Sequence, residues 1–348
     1  MSVDSKKPPE RADRVTIRTV AAHAGVSVAA VSKVMRNAYG VSDSLRARVT
    51  GSIEELGYRP SRAARGLRGQ TFTIGVLLID IRNPFLPEVI AGVNAVLGPS
   101  HYQAMIGVGE ARMQLETSLI ESMIDYKMDG LIMVAPRLPS EIITRFAAQI
   151  PIVAVGYHDP TADGFDTINA DDQRGAEIAI ESLLECGYRD IEMISQRARE
   201  GHKVSVVRQR EIGYRRAMQR AGFGSSAPIT NIPLESPMRE ETIRKFLARS
   251  DRPRAIFCWS DIDAIVVMSM AAEMGVRVPE DLAVVGYDNS SIAALGLVNL
   301  ASIDQSGREL GQTATRTLLS RIEGRSEAVH ILQMPSLVAR RSLIVNRL

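Results

Sequence analysis

The sequence predicts a small all-α head followed by a larger α/β core of two lobes, and three observations point to this fold class. Charge is uneven along the chain: residues 1–70 contain 13 Lys and Arg against 6 Asp and Glu, whereas the other 278 residues contain 29 against 34. Short amphipathic helical patterns occupy the basic segment. Beyond residue 71, apolar runs of strand length alternate with helical segments in two successive series, which is typical of parallel sheets in two lobes.

The composition excludes several classes of protein. A chain of 348 residues, 45% hydrophobic and 24% charged, is too long for one compact unit and suits a globular protein of two or three domains. No apolar run approaches the roughly 20 residues that a membrane helix needs. The polar start "MSVDSKKPPERADR" lacks the apolar region of an export signal. We therefore expect a cytoplasmic protein that contacts no membrane, with a disordered arm over residues 1–15.

The sequence offers no convincing catalytic or metal site. Two isolated cysteines and five scattered histidines lack metal-binding spacing, and neither a Gly-x-Gly-x-x-Gly nor a Walker loop occurs. Two aspartate pairs, Asp171/Asp172 and Asp261/Asp263, have no His or Lys near them in the chain. Loop carboxylates of this kind more often cap helices or bind ligand hydroxyls. We expect no enzyme activity, no metal and no cofactor.

The head begins with two short helices joined by a glycine. Small apolar residues at helical spacing predict a first helix that Gly25 ends, and Ser27 can cap a second helix by accepting from a free backbone N–H. Val31 and Val34 would pack the second helix on the first. This pattern is a helix-turn-helix, whose second helix fits the DNA major groove. The residues left facing outward are Val28, Ala29, Ser32, Lys33 and Arg36.

A third helix completes the head. Ser42 can cap it, an apolar residue recurs every three or four positions from Leu45 to Leu56, and Gly57 with Pro60 closes it. A basic head with this motif predicts binding to nucleic acid. On charge alone, a basic surface without a partner stays open as the alternative.

The segment "TIRTVAAHAGVSVAAVSKVMRN", followed by "GVS" and "ELGYRPSRAARGLR", resembles the LacI/GalR family of bacterial transcription regulators in both order and spacing. The resemblance implies a helix-turn-helix DNA-binding domain at 16–61, a hinge helix at 62–70 and an effector-binding and dimerisation core at 71–348. Ala30, Lys33 and Arg36 differ from the family's usual Thr, Arg and Asn, which leaves the operator sequence open.

The outward residues of the second helix suit DNA chemically. Val28 and Ala29 can pack on thymine methyls and Lys33 can bond guanine, whereas anchors to phosphate fix the register without reading sequence. We expect such anchors at Ser27, Ser32 and Arg36. The DNA-contacting set that the resemblance implies is Thr16, Ser27, Val28, Ala29, Ser32, Lys33, Arg36, Ala63, Ala64, Leu67 and Arg68.

The segment "RPSRAARGLRG" is a short, basic, alanine-rich pattern with one large apolar side chain, Leu67. A helix of about nine residues is marginal in water, so something else must order it. The resemblance implies a hinge helix that pairs with a second copy in the minor groove, where the leucines wedge between base steps. A flexible linker is the alternative, although linkers are usually rich in Gly and Ser.

The core also resembles the family, which shares its fold with periplasmic sugar-binding proteins. The resemblance implies two Rossmann-like lobes: an N-lobe of about 71–172 and 305–333, and a C-lobe of about 175–301 and 334–348. Ligands of such folds bind beyond the carboxyl ends of the strands. The motifs "DIRNPF", "RQREIGYRRAM", "FCWSDIDA", "LAVVGYDN" and "LASIDQ" place a set of polar and aromatic residues there. The implied effector-binding residues are Asp80, Asn83, Phe85, Tyr157, Arg210, Trp259, Ser260, Asp288 and Gln305.

Several alternatives stay open for these residues. Carboxylates and an arginine can hold vicinal hydroxyls, which favours a sugar, but Arg210 and Asp288 could instead form a structural ion pair. Trp259 could belong to the core, and Ser260, where the family has Asn, weakens one expected hydrogen bond.

The predicted function is a sequence-specific DNA-binding transcription regulator, a repressor by preference, controlled by a small-molecule effector that is a sugar or a derivative. A homodimer would place two heads on a pseudo-palindromic double-stranded operator. Three rivals stay open. An activator of the same family would share every motif, a transport-type solute-binding protein would need a signal peptide, and an α/β enzyme would need a nucleophile with its base.

Overall fold

The computed structural model describes residues 15–35, 38–59, 70–196, 205–224, 227–233 and 237–343. It forms two compact units, Met1–Thr71 and Phe72–Leu348. Residues 1–14 of the predicted arm, Arg36, and the predicted hinge residues Ala63, Ala64, Leu67 and Arg68 lie outside the described residues.

The first unit contains α1 (Ile17–Ala24), α2 (Val28–Met35) and α3 (Asp43–Glu55). Gly25 ends α1 in the left-handed conformation, with φ of 63°, which a glycine adopts without strain. The Ser27 hydroxyl accepts from Ala30 N at 3.1 Å, and the Ser42 hydroxyl accepts from Leu45 N at 3.3 Å. The predicted caps of α2 and α3 are therefore confirmed.

The three helices enclose a small apolar core, as the helical spacing predicts. The buried side chains come from one face of each helix, so α1 and α2 pack together against α3. They are Val20, Ala21, Ala24, Val31, Val34 and Val49. On the opposite face of α2, Ala29 and Lys33 are exposed.

The second unit mostly alternates strands and helices, and pairs of strands follow each other directly at β4–β5, β9–β10 and β11–β12. Its described elements, in chain order, are β1 (Thr73–Leu78), α4 (Phe85–Leu97), β2 (Gln103–Val108), α5 (Met113–Asp125), β3 (Gly130–Val134), α6 (Ser140–Ala147), β4 (Ile152–Val155), β5 (Asp166–Ala170), α7 (Asp172–Glu185), β6 (Ile191–Gln196), α8 (Val206–Arg220), β7 (Ile229–Ile232), α9 (Met238–Leu247), β8 (Ala255–Cys258), α10 (Asp261–Glu273), β9 (Ala283–Tyr287), β10 (Ala301–Asp304), α11 (Gly307–Ile322), β11 (His330–Gln333) and β12 (Ser336–Val338).

These strands form two six-stranded sheets. The first has the order β11-β5-β4-β3-β1-β2 with parallel pairings, and the second has the order β12-β10-β9-β8-β6-β7, in which only β12 runs antiparallel to its neighbour among the described pairings. Helices cover both faces of each sheet. Strands such as β1, β3 and β9 are consequently buried along their whole length, which explains their unbroken apolar runs.

The chain passes between the two sheets after β5, after β10 and again between β11 and β12. The sheets are thus built from the stretches of chain that the family resemblance assigns to the two lobes. Helix α7, which begins immediately after the first of these passages, packs closely on α8. A Cβ on Gly213 of α8 would lie 2.1 Å from the Gln173 carbonyl oxygen, so only glycine allows this approach. That contact brings the start of α7 beside Arg210 on α8.

Among the described residues, no helix combines the length and the apolar character needed to cross a membrane.

Candidate functional site

A cavity of about 610 Å³ lies at the carboxyl ends of the parallel strands of both sheets in the second unit, where such folds bind ligands. Loops and helix starts from both sheets line it. The nine residues that the sequence motifs single out all lie on its wall: Asp80, Asn83, Phe85, Tyr157, Arg210, Trp259, Ser260, Asp288 and Gln305. Their role toward a ligand stays a prediction.

Arg210 is the central cation of the cavity and is 2% exposed. Its Nε donates to Asp172 Oδ1 at 2.7 Å, its Nη1 donates to the Trp259 carbonyl, and its guanidinium carbon lies 3.5 Å from the centre of the Tyr287 ring. Asp288 Oδ1 is farther away, at 3.7 Å from Nη1. The main ion pair of Arg210 is therefore with Asp172 rather than with Asp288.

Asp172 is buried between two cationic or donating groups. His158 Nε2 lies 2.7 Å from Asp172 Oδ2 and Arg210 binds the other oxygen. Burial alone would raise the pKa of this carboxyl, but the charge of Arg210 and the His158 hydrogen bond hold the pKa below its ordinary value. Asp172 is consequently a carboxylate that fixes Arg210 in place.

Asp288 follows β9 and has φ of 115°, a backbone conformation that residues other than glycine rarely adopt. Its carboxyl accepts from Asn83 Nδ2 at 3.2 Å and from Gln305 Nε2 at 2.7 Å. Burial raises the pKa of Asp288 to about 7, against the opposing charge of Arg210 and helped by the nearby Asp261. This carboxyl can therefore accept or donate a hydrogen bond near neutral pH.

Two contacts across the cavity join residues of the first sheet's lobe to residues of the second sheet's lobe. Asn83 follows β1 of the first sheet, whereas Asp288 follows β9 of the second, so their hydrogen bond spans the cavity. An isolated antiparallel bridge also joins Tyr157, after β4, to Ser205 at the start of α8. Both contacts must adjust if the lobes rotate relative to each other.

Two aromatic residues of the predicted set are held by internal bonds. The Tyr157 hydroxyl donates to the Leu138 carbonyl at 3.1 Å and contacts Ser140, so its ring rather than its hydroxyl forms the cavity wall. The Trp259 indole donates to Asp263 Oδ2 and packs on the core of the second sheet. Trp259 thus belongs to the core and lines the cavity at once.

The four aspartates of the two pairs behave differently. Asp171 accepts from Arg174 N at 3.0 Å and caps α7, which confirms the capping prediction for this residue. Asp261 accepts from Ser290 N and from the Ser302 hydroxyl, and it is not among the residues that line the cavity. Asp172 and Asp263 line the cavity, although neither was in the predicted set.

The predicted Ser260 is likewise used internally. It caps α10 by accepting from Asp263 N at 3.3 Å and donates to Asp263 Oδ2 at 2.9 Å. Its role toward a ligand stays a prediction. Arg239, at the start of α9, and Gln196, at the end of β6, also line the cavity and were missed. The available signal was positional, since both lie where a strand ends or a helix begins.

On the first unit, α2 presents an outward surface. Ser27, Ala29 and Lys33 are exposed, whereas Val28 and Ser32 are partly buried. Thr16 is exposed but caps α1, where it forms a capping box with Thr19. The roles of these residues toward DNA stay predictions. In the part of the chain that the structure describes, no three His, Cys, Asp or Glu side chains are grouped as a metal ion requires.

Comparison with known proteins gives matches along nearly the whole chain. Residues 16–61 match the model of bacterial regulatory proteins of the lacI family, and residues 180–343 match that of a periplasmic binding protein-like domain. The HTH-type transcriptional repressor PurR of Photobacterium profundum is 30% identical over 334 residues, which cover 94% of this chain and 98% of the relative. Catabolite control protein A of Priestia megaterium is 29% identical and covers 92% and 96%.

Solved structures agree with the architecture. The lac repressor dimer bound to operator and the anti-inducer ONPF superposes with a TM-score of 0.83 at 24% identity, covering 96% of this chain and all of that one. A complex of the transcriptional regulator CelR with cellobiose gives a TM-score of 0.69 at 25% identity, covering 94% and 100%. The helix-turn-helix head and the two-lobed α/β core are thus one recurring arrangement.

Proposed function

Because this chain belongs to the lacI family of bacterial regulatory proteins, we propose that it is a repressor whose affinity for an operator changes when a small molecule occupies the cavity of the second unit. It is a DNA-binding transcription regulator, and its relatives are regulators rather than enzymes. The two named relatives are different regulators, so the effector is inferred from the cavity and from a solved structure that holds a ligand.

The observation that carries this proposal is the cavity itself. It has a volume of about 610 Å³, and its wall consists of carboxylates, amides and arginines together with apolar side chains. Such a site suits a small molecule with several hydroxyl groups. The CelR structure, which holds cellobiose, supports a sugar or a sugar derivative as the effector.

We assign the DNA contacts to the outward face of α2. The exposed Lys33 offers an ammonium donor for guanine, and Val28 with Ala29 offers methyl contacts for thymine. Ser27 keeps a hydroxyl proton for a phosphate oxygen while its own oxygen caps the helix. We assign the anchoring role to Thr16, Ser27, Ser32 and Arg36, and the minor-groove wedge to the predicted hinge at 62–70.

A homodimer is part of the proposal, since a pseudo-palindromic operator needs two heads. Large apolar side chains are exposed on β2, at Met105 and Ile106, and on the segment after β9, at Leu295 and Leu297. Surfaces of this kind favour burial against a second copy of the chain. We also propose the domain boundaries that the sequence predicts and a cytoplasmic location, which suits a regulator of bacterial DNA.

The regulatory step is a coupling between two binding sites. An effector changes operator affinity only if it binds the operator-competent and the released conformations with different affinities. The bond between Asn83 and Asp288 and the bridge between Tyr157 and Ser205 cross the cavity. A ligand that replaces or reinforces these contacts stabilises one arrangement of the lobes over another.

The test starts with the full-length protein and random double-stranded DNA, from which binding sites are selected and then titrated in gel shifts. We expect a pseudo-palindromic consensus and a marked change in its affinity when sugars or their derivatives are added. Absence of sequence preference would contradict the DNA-binding role, and an affinity that no small molecule alters would contradict effector control. Reporter expression with the selected site distinguishes repression from activation.

A further inference from the structure

Arg239 is one of four arginines on the cavity wall, with Arg82, Arg137 and Arg210, and it lies on the side of the second sheet. It occupies the first turn of α9 and its side chain is 21% exposed. Among the described residues, Arg239 forms two ion pairs of 3.7 Å, one from Nη1 to Asp263 Oδ1 and one from Nη2 to Glu240 Oε1. Both distances exceed that of a charge-assisted hydrogen bond.

The Nε of Arg239 is buried and makes no hydrogen bond. A buried donor on a charged group is costly when it has no acceptor, so such groups are rare and call for an explanation. Arg210 shows the contrast, because its Nε donates to Asp172 at 2.7 Å. The two arginines line the same cavity, but only Arg210 has a carboxylate at hydrogen-bonding distance.

The nearest carboxylate does not neutralise Arg239 well. Asp263 Oδ2 already accepts from Trp259 Nε1 and from the Ser260 hydroxyl. Burial raises the pKa of Asp263 in spite of these hydrogen bonds, so its negative charge is held less firmly than that of an exposed aspartate. Arg239 lies nearest to the other oxygen, Oδ1, and to Glu240, both at 3.7 Å, so its Nη donors stay beyond hydrogen-bonding distance of both carboxylates.

Helix starts add to the positive potential at this wall. The N-terminal turn of a helix carries partial positive charge, and an arginine there is unfavourable unless an anion lies close. Pro237 precedes α9 and offers no side-chain cap, while Glu240 and Glu241 in the same turn offset part of the positive charge. Ser205, Val206 and Val207 bring the start of α8 to the same cavity, and the first turn of α8 has no acidic residue.

We propose that the effector carries an anionic group, a carboxylate or a phosphate, which Arg239 binds in bidentate fashion at this wall. The inference rests on the proposed function and specifies the ligand of the same cavity. The two Nη donors of a guanidinium lie side by side and match the two oxygens of such a group. The neutral part of the ligand then faces Asp80, Asp288 and the aromatic wall. The effector class is a sugar acid or a sugar phosphate rather than a neutral sugar.

The experiment uses the full-length protein and matched probes. D-Glucose and D-galactose are each compared with their aldonate, uronate and 6-phosphate, first by the melting temperature and then by calorimetric titration. We expect an anionic probe to bind and its neutral parent to bind at least tenfold more weakly. Arg239→Gln should raise the Kd of that anionic probe by roughly 10- to 100-fold, as the loss of a charged hydrogen-bonding partner predicts.

Arg244→Gln is the matched control, since it removes the same charge from the same helix at an exposed position outside the cavity wall. It should change the Kd of the probe by less than about twofold. Arg239→Lys keeps the charge and should recover part of the affinity. The ranking of carboxylate against phosphate probes identifies which anion the site prefers.

Three outcomes would overturn the inference. In the first, neutral probes bind as well as or better than the anionic ones, or no anionic probe binds. In the second, Arg239→Gln and Arg244→Gln lower affinity equally. In the third, both Arg239→Gln and Arg239→Lys unfold the ligand-free protein, which makes Arg239 a structural partner of Asp263. If neutral probes alter operator affinity, the proposed function stands although this inference fails; if no probe does, both fail.

Discussion

The outward face of α2 and the wall of the cavity hold their side chains in different ways. One short helix presents Ser27, Ala29 and Lys33, all exposed, and its own core residues lie on the opposite side. The cavity wall instead joins residues as far apart as Asn83 and Asp288, which are 205 positions apart. Substitutions on α2 should therefore alter recognition and spare stability, whereas substitutions in the cavity wall should alter both.

The buried charges sharpen this contrast. Arg210 and Asp172 are almost inaccessible to water, and each satisfies the other. Removing one partner leaves a buried charge without compensation, which costs far more than the pair contributes as a whole. No comparable pair exists on α2 among its described residues, where Lys33 projects into solvent.

The largest expected effect is that of Arg210→Met. This change keeps much of the side-chain length but leaves the Asp172 carboxylate with His158 as its remaining strong donor. We expect the free energy of unfolding of the second unit to fall by about 3–5 kcal/mol. Urea denaturation of the full-length protein, followed by circular dichroism, measures the loss.

Arg244→Met serves as the exposed control and should change stability by less than about 0.5 kcal/mol. If Arg210→Met costs no more than this control, the buried pair is not the strong structural link that its geometry indicates. In that case the cavity wall and α2 would tolerate substitution alike.

The next effect concerns the pH dependence of stability at Asp288. Its folded-state pKa of about 7 exceeds the ordinary value of 3.8, so between these values the folded protein holds a proton that the unfolded chain has lost. This group therefore makes stability fall as the pH rises from about 4 to about 7, and it has no further effect above that range. Asp288→Asn removes this contribution.

We accordingly expect the stability of Asp288→Asn relative to the wild type to increase from pH 4 to pH 7 and then level off. Chemical denaturation at a series of pH values tests it, and taking the difference between the two proteins cancels most contributions of other groups. Parallel curves would mean that the pKa of Asp288 is ordinary. A variant that becomes relatively less stable with rising pH would make Asp288 a stabilising partner of Arg210.

Local signals explain why so much of the head could be predicted. Gly25, Ser27 and Ser42 act on the backbone within a few residues of themselves, so their effects are visible in the sequence. The buried strands of the core are visible for a similar reason, as continuous apolar runs. The edge strands β7 and β11 are only partly buried and carry no such run, so the sequence signals them weakly.

The cavity wall needed more than local signals. The positions of Arg210 and Asp288 came from motifs at strand ends and helices, but their pairing depends on how α7 and α8 pack. The sequence left an ion pair between these two residues open as an alternative; the fold holds them at 3.7 Å and gives Arg210 a closer partner, Asp172, at 2.7 Å. Arg239 was missed because the segment around it resembles no motif. An arginine in the first turn of a helix was the available signal, since the helix dipole disfavours it there.

The smallest expected effect on the fold, and the clearest on recognition, is that of Lys33→Ala. Lys33 is exposed on α2 and contributes nothing to the core of the first unit, so stability should change by less than about 0.5 kcal/mol. If its ammonium bonds a base edge, discrimination at one base pair in each half-site should fall by about 1–3 kcal/mol. Selection from random DNA, carried out with wild type and variant, measures this directly.

A uniform loss of affinity across all sequences, with a shallower dependence on salt, would instead make Lys33 a phosphate anchor. A loss of stability comparable to that of Arg210→Met would break the contrast between the two regions, because it would mean that the outward face of α2 also supports the fold.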